Sequence, residues 1–111
     1  FSLIYKGKKP ELAPAYDLLS TAIYPDLSEK MAMKISGKYK PRDVYLRHFH
    51  RLMPETKAAQ AAMNRQIKTM IEKMTDAAPS LKASLIKDGL ASEVFDEIIA
   101  IIEERAKRLI E

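Results

Sequence analysis

The sequence predicts a mainly α domain, a bundle of about three to five helices with a short β-hairpin at its N-terminus. Three observations carry this. From Glu55 to Glu111, apolar residues recur at three-and-four spacing, the period of an amphipathic helix. Pro41, Pro54, Gly89 and Ser92 punctuate that region where helices start or stop. Before residue 16 the pattern is a loose alternation of strand formers, interrupted by Lys6-Gly7-Lys8-Lys9-Pro10.

The elements follow in order. Phe1 to Tyr5 reads as a strand and Glu11 to Ala15 as its return, with Gly7 free to take a positive φ in the turn. Pro14 inside the return implies an edge or a strand end. A lone hairpin is marginal in water, so this one needs a helical surface or a further lobe to pack on. Asp17 to Ser20 reads as a short helical turn. Tyr24-Pro25 enforces an extended bend, because a residue before proline avoids the α region. Residues 25–28 are loop, Met31 to Ile35 a short strand or extended segment, and Ser36-Gly37-Lys38 a turn.

Pro41 suits the first position of a helix, where its missing N–H costs nothing. That helix is predicted to run to about Met53, with Val44, Tyr45, Phe49, Leu52 and Met53 on one side and Arg47 and His48 at the edge of the stripe. Pro54 opens the next helix in the same way. Ala59, Ala62, Met63, Ile67, Met70, Ile71 and Met74 form its apolar stripe, and Arg65, Lys68, Glu72 and Lys73 take the other side. Pro79 either ends this helix near Ala77 or kinks it. Leu81, Leu85 and Ile86 keep the phase, which favours continuation. Gly89 is the expected left-handed cap. Ser92 caps the last helix, whose stripe is Val94, Phe95, Ile98, Ile99, Ile102, Ala106, Leu109 and Ile110. Acidic Glu93 and Asp96 near its start, and Arg105, Lys107 and Arg108 near its end, complement the helix dipole.

A chain of 111 residues makes one domain, and its 47% apolar content excludes a disordered polypeptide. With no cysteine, disulfides and thiolate metal sites are excluded, and a reducing compartment fits. No apolar run approaches the roughly 20 residues of a membrane span, and no signal peptide is visible, so a cytoplasmic location is expected. The chain opens on Phe1, which reads as a sequence whose upstream part has been removed.

The net charge of +4 is mild, but its distribution is not even. Lys30, Lys34, Lys38, Lys40, Arg42, Arg47 and Arg51 fall between residues 30 and 51, with Asp43 the lone acid. Residues 93–104 hold Glu93, Asp96, Glu97, Glu103 and Glu104 without a base. The basic stretch is either a solvated face or a surface for phosphates of nucleotide, RNA or DNA.

Asp17 is the leading candidate for chemistry. It stands alone in the apolar run Leu12-Ala13-Pro14-Ala15-Tyr16-Asp17-Leu18-Leu19. A carboxylate there must be paired, hydrogen-bonded or metal-bound. It is either a turn or helix-cap residue or a ligand for Mg²⁺, which favours carboxylates together with phosphate oxygens. His48 and His50 point in different directions on a helix, a poor spacing for a shared metal, and are expected at an exposed edge. The six Met residues at 31, 33, 53, 63, 70 and 74 are expected to fill core gaps, with a peptide-binding groove as the alternative. No residue sits in a recognisable nucleophile setting, and three glycines make no phosphate loop.

The run Phe1-Ser2-Leu3-Ile4-Tyr5, a turn, and then Pro14-Ala15-Tyr16-Asp17 resembles the HipA family of toxin kinases. Lys30-Met31-Ala32-Met33-Lys34 and Arg47-His48-Phe49 look like family features at similar spacing. The resemblance implies the helical part of a kinase C-terminal lobe, with residues 1–16 as hairpin, 17–40 as a loop-rich Mg-site and basic segment, and 41–111 as the helical bundle. It implies phosphoryl transfer from Mg-ATP to a protein Ser or Thr, with Asp17 holding Mg²⁺ against the nucleotide phosphates. The family's catalytic loop, Asp-x-x-x-Lys-Asn, ends just before a Phe-Ser pair. The base Asp, its Lys and the second Mg²⁺-binding Asn would then lie upstream of Phe1, and this chain alone would be inactive. The implied partners are a protein substrate and a helix-turn-helix antitoxin, with DNA reached through the antitoxin complex. The competing reading is a non-catalytic helical module in which residues 54–111 dock an antitoxin-like protein and the basic stretch lies near nucleic acid.

Overall fold

A computed structural model describes residues 2–15 and 20–110. The architecture is a two-stranded antiparallel hairpin followed by three α-helices, as the sequence pattern requires. Strand β1 spans Leu3–Lys6 and β2 spans Lys9–Leu12, in the register Leu3↔Leu12 through Lys6↔Lys9. The loop is therefore two residues, Gly7 and Lys8. Gly7 takes φ 66, the conformation a tight hairpin turn asks of its first central residue and that glycine adopts without strain. The returning strand starts earlier than Glu11 and ends before Pro14. Pro10 instead lies within it, opposite Tyr5. A two-stranded ribbon has only edges, so the missing N–H of Pro10 faces no third strand. Ala13 N–H donates to the Ser2 carbonyl at 2.8 Å and extends the pairing by one rung. All eight strand residues are exposed.

The helical turn expected at Asp17 to Ser20 falls largely on residues outside the described ones. A 3-10 turn covers Thr21–Ile23, and Tyr24 before Pro25 is extended at φ −98, ψ 108, as the proline demands. Met31 to Ile35 is not a strand. Among the described residues its one β-bridge is Ile35 to Lys38, closed by reciprocal backbone hydrogen bonds of 2.9 and 3.0 Å, and the Met31 N–H separately bonds the Tyr39 carbonyl at 2.8 Å. Ser36 (φ 47) and Gly37 (φ 83) form the turn between them. With both central residues at positive φ, the chain reverses in a two-residue turn of the hairpin type.

The helix expected from Pro41 to Met53 is broken in two. Pro41–Asp43 is one 3-10 turn, and helix α1 is only Leu46–His50. Between them Val44 and Tyr45 are extended, Tyr45 at φ −119, ψ 170. Two interactions justify the break. Val44 is turned into the core, 6% exposed. The Tyr45 N–H donates to Nδ1 of His48 at 2.8 Å, while the His48 N–H donates to the Tyr45 carbonyl at 2.9 Å. This reciprocal cap satisfies donors that an uninterrupted helix would have used internally.

Pro54 does not open the next helix. Helix α2 spans Lys57–Lys87, capped by Thr56, whose hydroxyl accepts the Ala59 N–H at 3.1 Å. It runs through Pro79 unbroken, so the continuous apolar phase prevails although Pro79 cannot donate to the Thr75 carbonyl. It ends at Gly89 (φ 86), where Gly89 N–H bonds Ile86 O and Leu90 N–H bonds Leu85 O. This is the paired six-to-one and five-to-two arrangement that left-handed caps produce. Helix α3 spans Val94–Ile110, with Ser92 Oγ accepting the Val94 N–H.

Helices α2 and α3 are joined by a short loop and run antiparallel. Lys82 reaches Asp96 at the loop end, while Ile67 and Ile71 meet Ala106 towards the other. Leu46 and Phe49 of α1, with Met63 and Leu109, close over that cluster. The core is small, and part of the expected stripe lies outside it. Met70 (52% exposed) and Met74 (45%) face solvent, as do Met33 and Ile110, so these methionines fill no core gap. The buried line of α2 is narrower than the sequence stripe because only α1 and α3 cover it.

Candidate functional site

Tyr16 and Asp17, the centre of the sequence-derived site, lie outside the described residues. What leads up to them is described. The two-residue turn of the hairpin brings Ser2 beside Ala13, and Pro14 follows directly. Paired antiparallel residues have Cα atoms about 4.5–5.5 Å apart. Chain entering at Ser2 is thus held next to chain leaving toward Asp17.

After Asp17 the chain returns at Ser20, which lines a cleft of about 530 Å³ between the 20–31 loop, the Pro41 turn and α3. Tyr24, Leu27, Met31 and Ile101 give this cleft apolar walls, and Lys30, Lys40, Arg42, Arg105 and Arg108 make it cationic. Glu29 pairs with Arg42 at 3.4 Å, and Glu104 with Arg108 at 2.7 Å. Sequence reasoning assigned Arg105 and Arg108 to the helix dipole alone. No local signal could bring them to Lys30 and Lys40, 65 to 78 residues earlier.

The basic stretch therefore divides. Lys30, Lys40 and Arg42 join the cleft. Lys34, Lys38, Arg47 and Arg51 gather around Tyr39, Tyr45 and His48 instead. Lys34 Nζ lies 4.8 Å and Lys30 Nζ 5.9 Å from the Tyr39 ring centre, and the Arg47 guanidinium lies 4.6 Å from that of Tyr45. Such placements are cation–π contacts. The Ser36 hydroxyl bonds the His48 carbonyl and ties the 35–38 turn to α1.

His48 is not at an exposed edge. It is 2% exposed, the one buried polar side chain among the described residues. Burial lowers its pKa below the ordinary 6.5, and the positive charges of Arg47, Arg51 and Lys38 lower it further. The lowered pKa favours the neutral ring, whose Nδ1 accepts from the Tyr45 N–H. The sequence hint was its i+3 relation to Tyr45, which a helix-periodic reading hides. His50 bonds Asn64 instead and links α1 to α2. Among the described residues no group of three or more His, Asp or Glu could hold a metal ion, so no described residue tests the Mg²⁺ assignment. No helix of the described residues is long and apolar enough to cross a membrane.

The family model of the HipA-like C-terminal domain matches residues 1–81 of the 111. The chain belongs to that family. The match takes in the hairpin, the Pro14–Asp17 element, the basic segment, α1 and most of α2. Over 38 residues this HipA-like chain is 58% identical to a protein named putative kinase Y4mE from Sinorhizobium fredii (strain NBRC 101917 / NGR234). That stretch is 34% of this chain and 9% of the relative, so the chain matches less than a tenth of the relative's length. No solved structure matches the chain.

Proposed function

We propose that the protein carrying this HipA-like segment is a serine/threonine protein kinase that transfers the γ-phosphoryl group of Mg-ATP to a protein hydroxyl. The observation that carries the reading is the family match across residues 1–81, a range within which Pro14, Tyr16 and Asp17 fall. The name of the Sinorhizobium relative agrees with it. In this reading Asp17 holds Mg²⁺, which neutralises charge on the phosphates during transfer. The base Asp, its Lys and an Asn come from a loop that enters at Ser2. The hairpin supports this arrangement, because its tight turn sets Ser2 beside Ala13, on the chain leading to Asp17. The 111 residues alone then lack the base and transfer no phosphate.

A second reading rests on the exposed apolar side of α2. Met70, Met74 and Leu81 are each about half exposed, and Met70 and Met74 sit with Arg65 and Lys73 on one open face. In that reading residues 54–111 dock a helical protein partner of the antitoxin kind, with or without catalysis.

Intact mass after incubation with Mg-ATP tests the kinase reading, measured on the protein with its upstream lobe and on Asp17→Asn. A gain of one phosphate that falls at least a hundredfold in the mutant is the expected outcome. Equal phosphorylation of both proteins would overturn the role of Asp17. Absence of phosphate on the protein and on co-incubated cell protein would overturn the kinase reading.

A further inference from the structure

Six cations in residues 30–51 have no carboxylate partner among the described residues: Lys30, Lys34, Lys38, Lys40, Arg47 and Arg51. Arg42 alone is ion-paired, with Glu29. Like charges this dense are mutually repulsive. The backbone that carries them is tied together. The reversal at Ser36-Gly37, the Met31 N–H bond to the Tyr39 carbonyl (2.8 Å) and the Ser36 bond to α1 hold the segment as one unit. Two tyrosines stand in this field, Tyr39 at 42% exposure and Tyr45 at 38%. Each has a cation over its ring. The cations run on from there, through Lys30, into the cleft that Lys40 and Arg105 line.

We propose that this face binds a single-stranded nucleic acid, its phosphates on the lysines and arginines and unpaired bases on Tyr39 and Tyr45. The tyrosines decide the class. A duplex needs cations for its phosphates but offers no base face to a side chain on its outside. An unpaired base stacks on any aromatic surface, whatever its sequence. An acidic peptide would take the cations and leave the rings unused. The inference is independent of phosphoryl transfer, since it uses none of the residues assigned to that reaction.

The test is fluorescence anisotropy of a labelled 12-nucleotide oligouridylate titrated with the protein between 50 and 300 mM KCl. An oligothymidylate, a DNA duplex and a polyglutamate peptide of matching length serve as competitors. The expected plot of log affinity against log salt has a slope of about −2 to −3, the value for three or four single-strand phosphates. Tyr39→Ala should weaken binding at least about fivefold, while Tyr39→Phe keeps the stacking face and the affinity. Lys34→Ala and Lys38→Ala should each flatten the slope by about 0.7, and Lys8→Ala and Lys87→Ala should not. Stronger competition by thymidylate than by uridylate would name DNA as the source of the strand, and the reverse RNA. The proposal is overturned if no binding occurs at 50 mM KCl, if the duplex or polyglutamate competes as well as the single strands, or if Tyr39→Ala binds like the parent with its fold intact by circular dichroism.

Discussion

The hairpin and the α1–α2–α3 junction are built by opposite means. In the hairpin every strand residue is exposed, and the structure rests on a two-residue turn, a backbone ladder and the Lys6–Glu11 pair at 3.4 Å. At the junction Val44, Ile67, Ile71 and Ala106 are buried, and so is His48, with its ring hydrogen-bonded to Tyr45. A surface ion pair contributes about 1 kcal/mol or less. A buried isoleucine contributes several times that. The hairpin is therefore a positioning device of low intrinsic stability, and the junction is where the described fold is held.

The largest test of this contrast is Ile71→Ala. Removing a side chain that is 7% exposed at the centre of the small core should cost about 2–4 kcal/mol, read by urea denaturation. A cost under about 1 kcal/mol would move the stability elsewhere.

Acid sharpens the contrast through His48. Its folded pKa lies below the 6.5 of the unfolded chain, so as pH falls through 6.5 the unfolded state takes up the proton first. Stability should be fully present above pH 6.5 and decline as pH falls toward the folded pKa. The melting temperature should drop between pH 7.5 and 5.5. His48→Asn retains an acceptor for the Tyr45 N–H and removes the titration, so its melting temperature should change less over the same range. An equal change in both proteins would mean that His48 is not the group responsible.

The smallest expected effect is in the hairpin. Leu3→Ala, at a site 56% exposed, should shift global stability by less than about 0.5 kcal/mol. If it costs as much as Ile71→Ala, the hairpin is packed against something and the contrast collapses.

Much of the fold was legible because much of it is local. A left-handed cap needs only Gly89 after a helical run, and the Ser92 cap needs only a hydroxyl before one. The stripes of α2 and α3 are written in i, i+3 and i+4 spacing. Continuation through Pro79 followed from the same phase. Errors gathered between residues 31 and 56, where periodicity suggested one strand and one long helix. There a buried Val44 and a histidine acting as acceptor for Tyr45 outweigh local preference, and Thr56 rather than Pro54 starts α2. The candidate site divides in the same way. Pro14, Tyr16 and Asp17 are contiguous and readable as a motif, whereas the cationic cleft draws on α3 and has no contiguous signature.

By itself, then, the sequence determined helix class, the end of α2 at Gly89 and the start of α3 after Ser92, the tight hairpin turn and the family likeness, all of which depend on residues within a few positions of one another. Only the tertiary structure decided which faces are covered. It buried His48, left Met70 and Met74 in solvent, broke the chain at Val44-Tyr45, and brought Arg105 to Lys30 and Lys40. Those outcomes depend on contacts between residues far apart in the chain, where burial and unpaired charge set the free energy and local propensity carries no information.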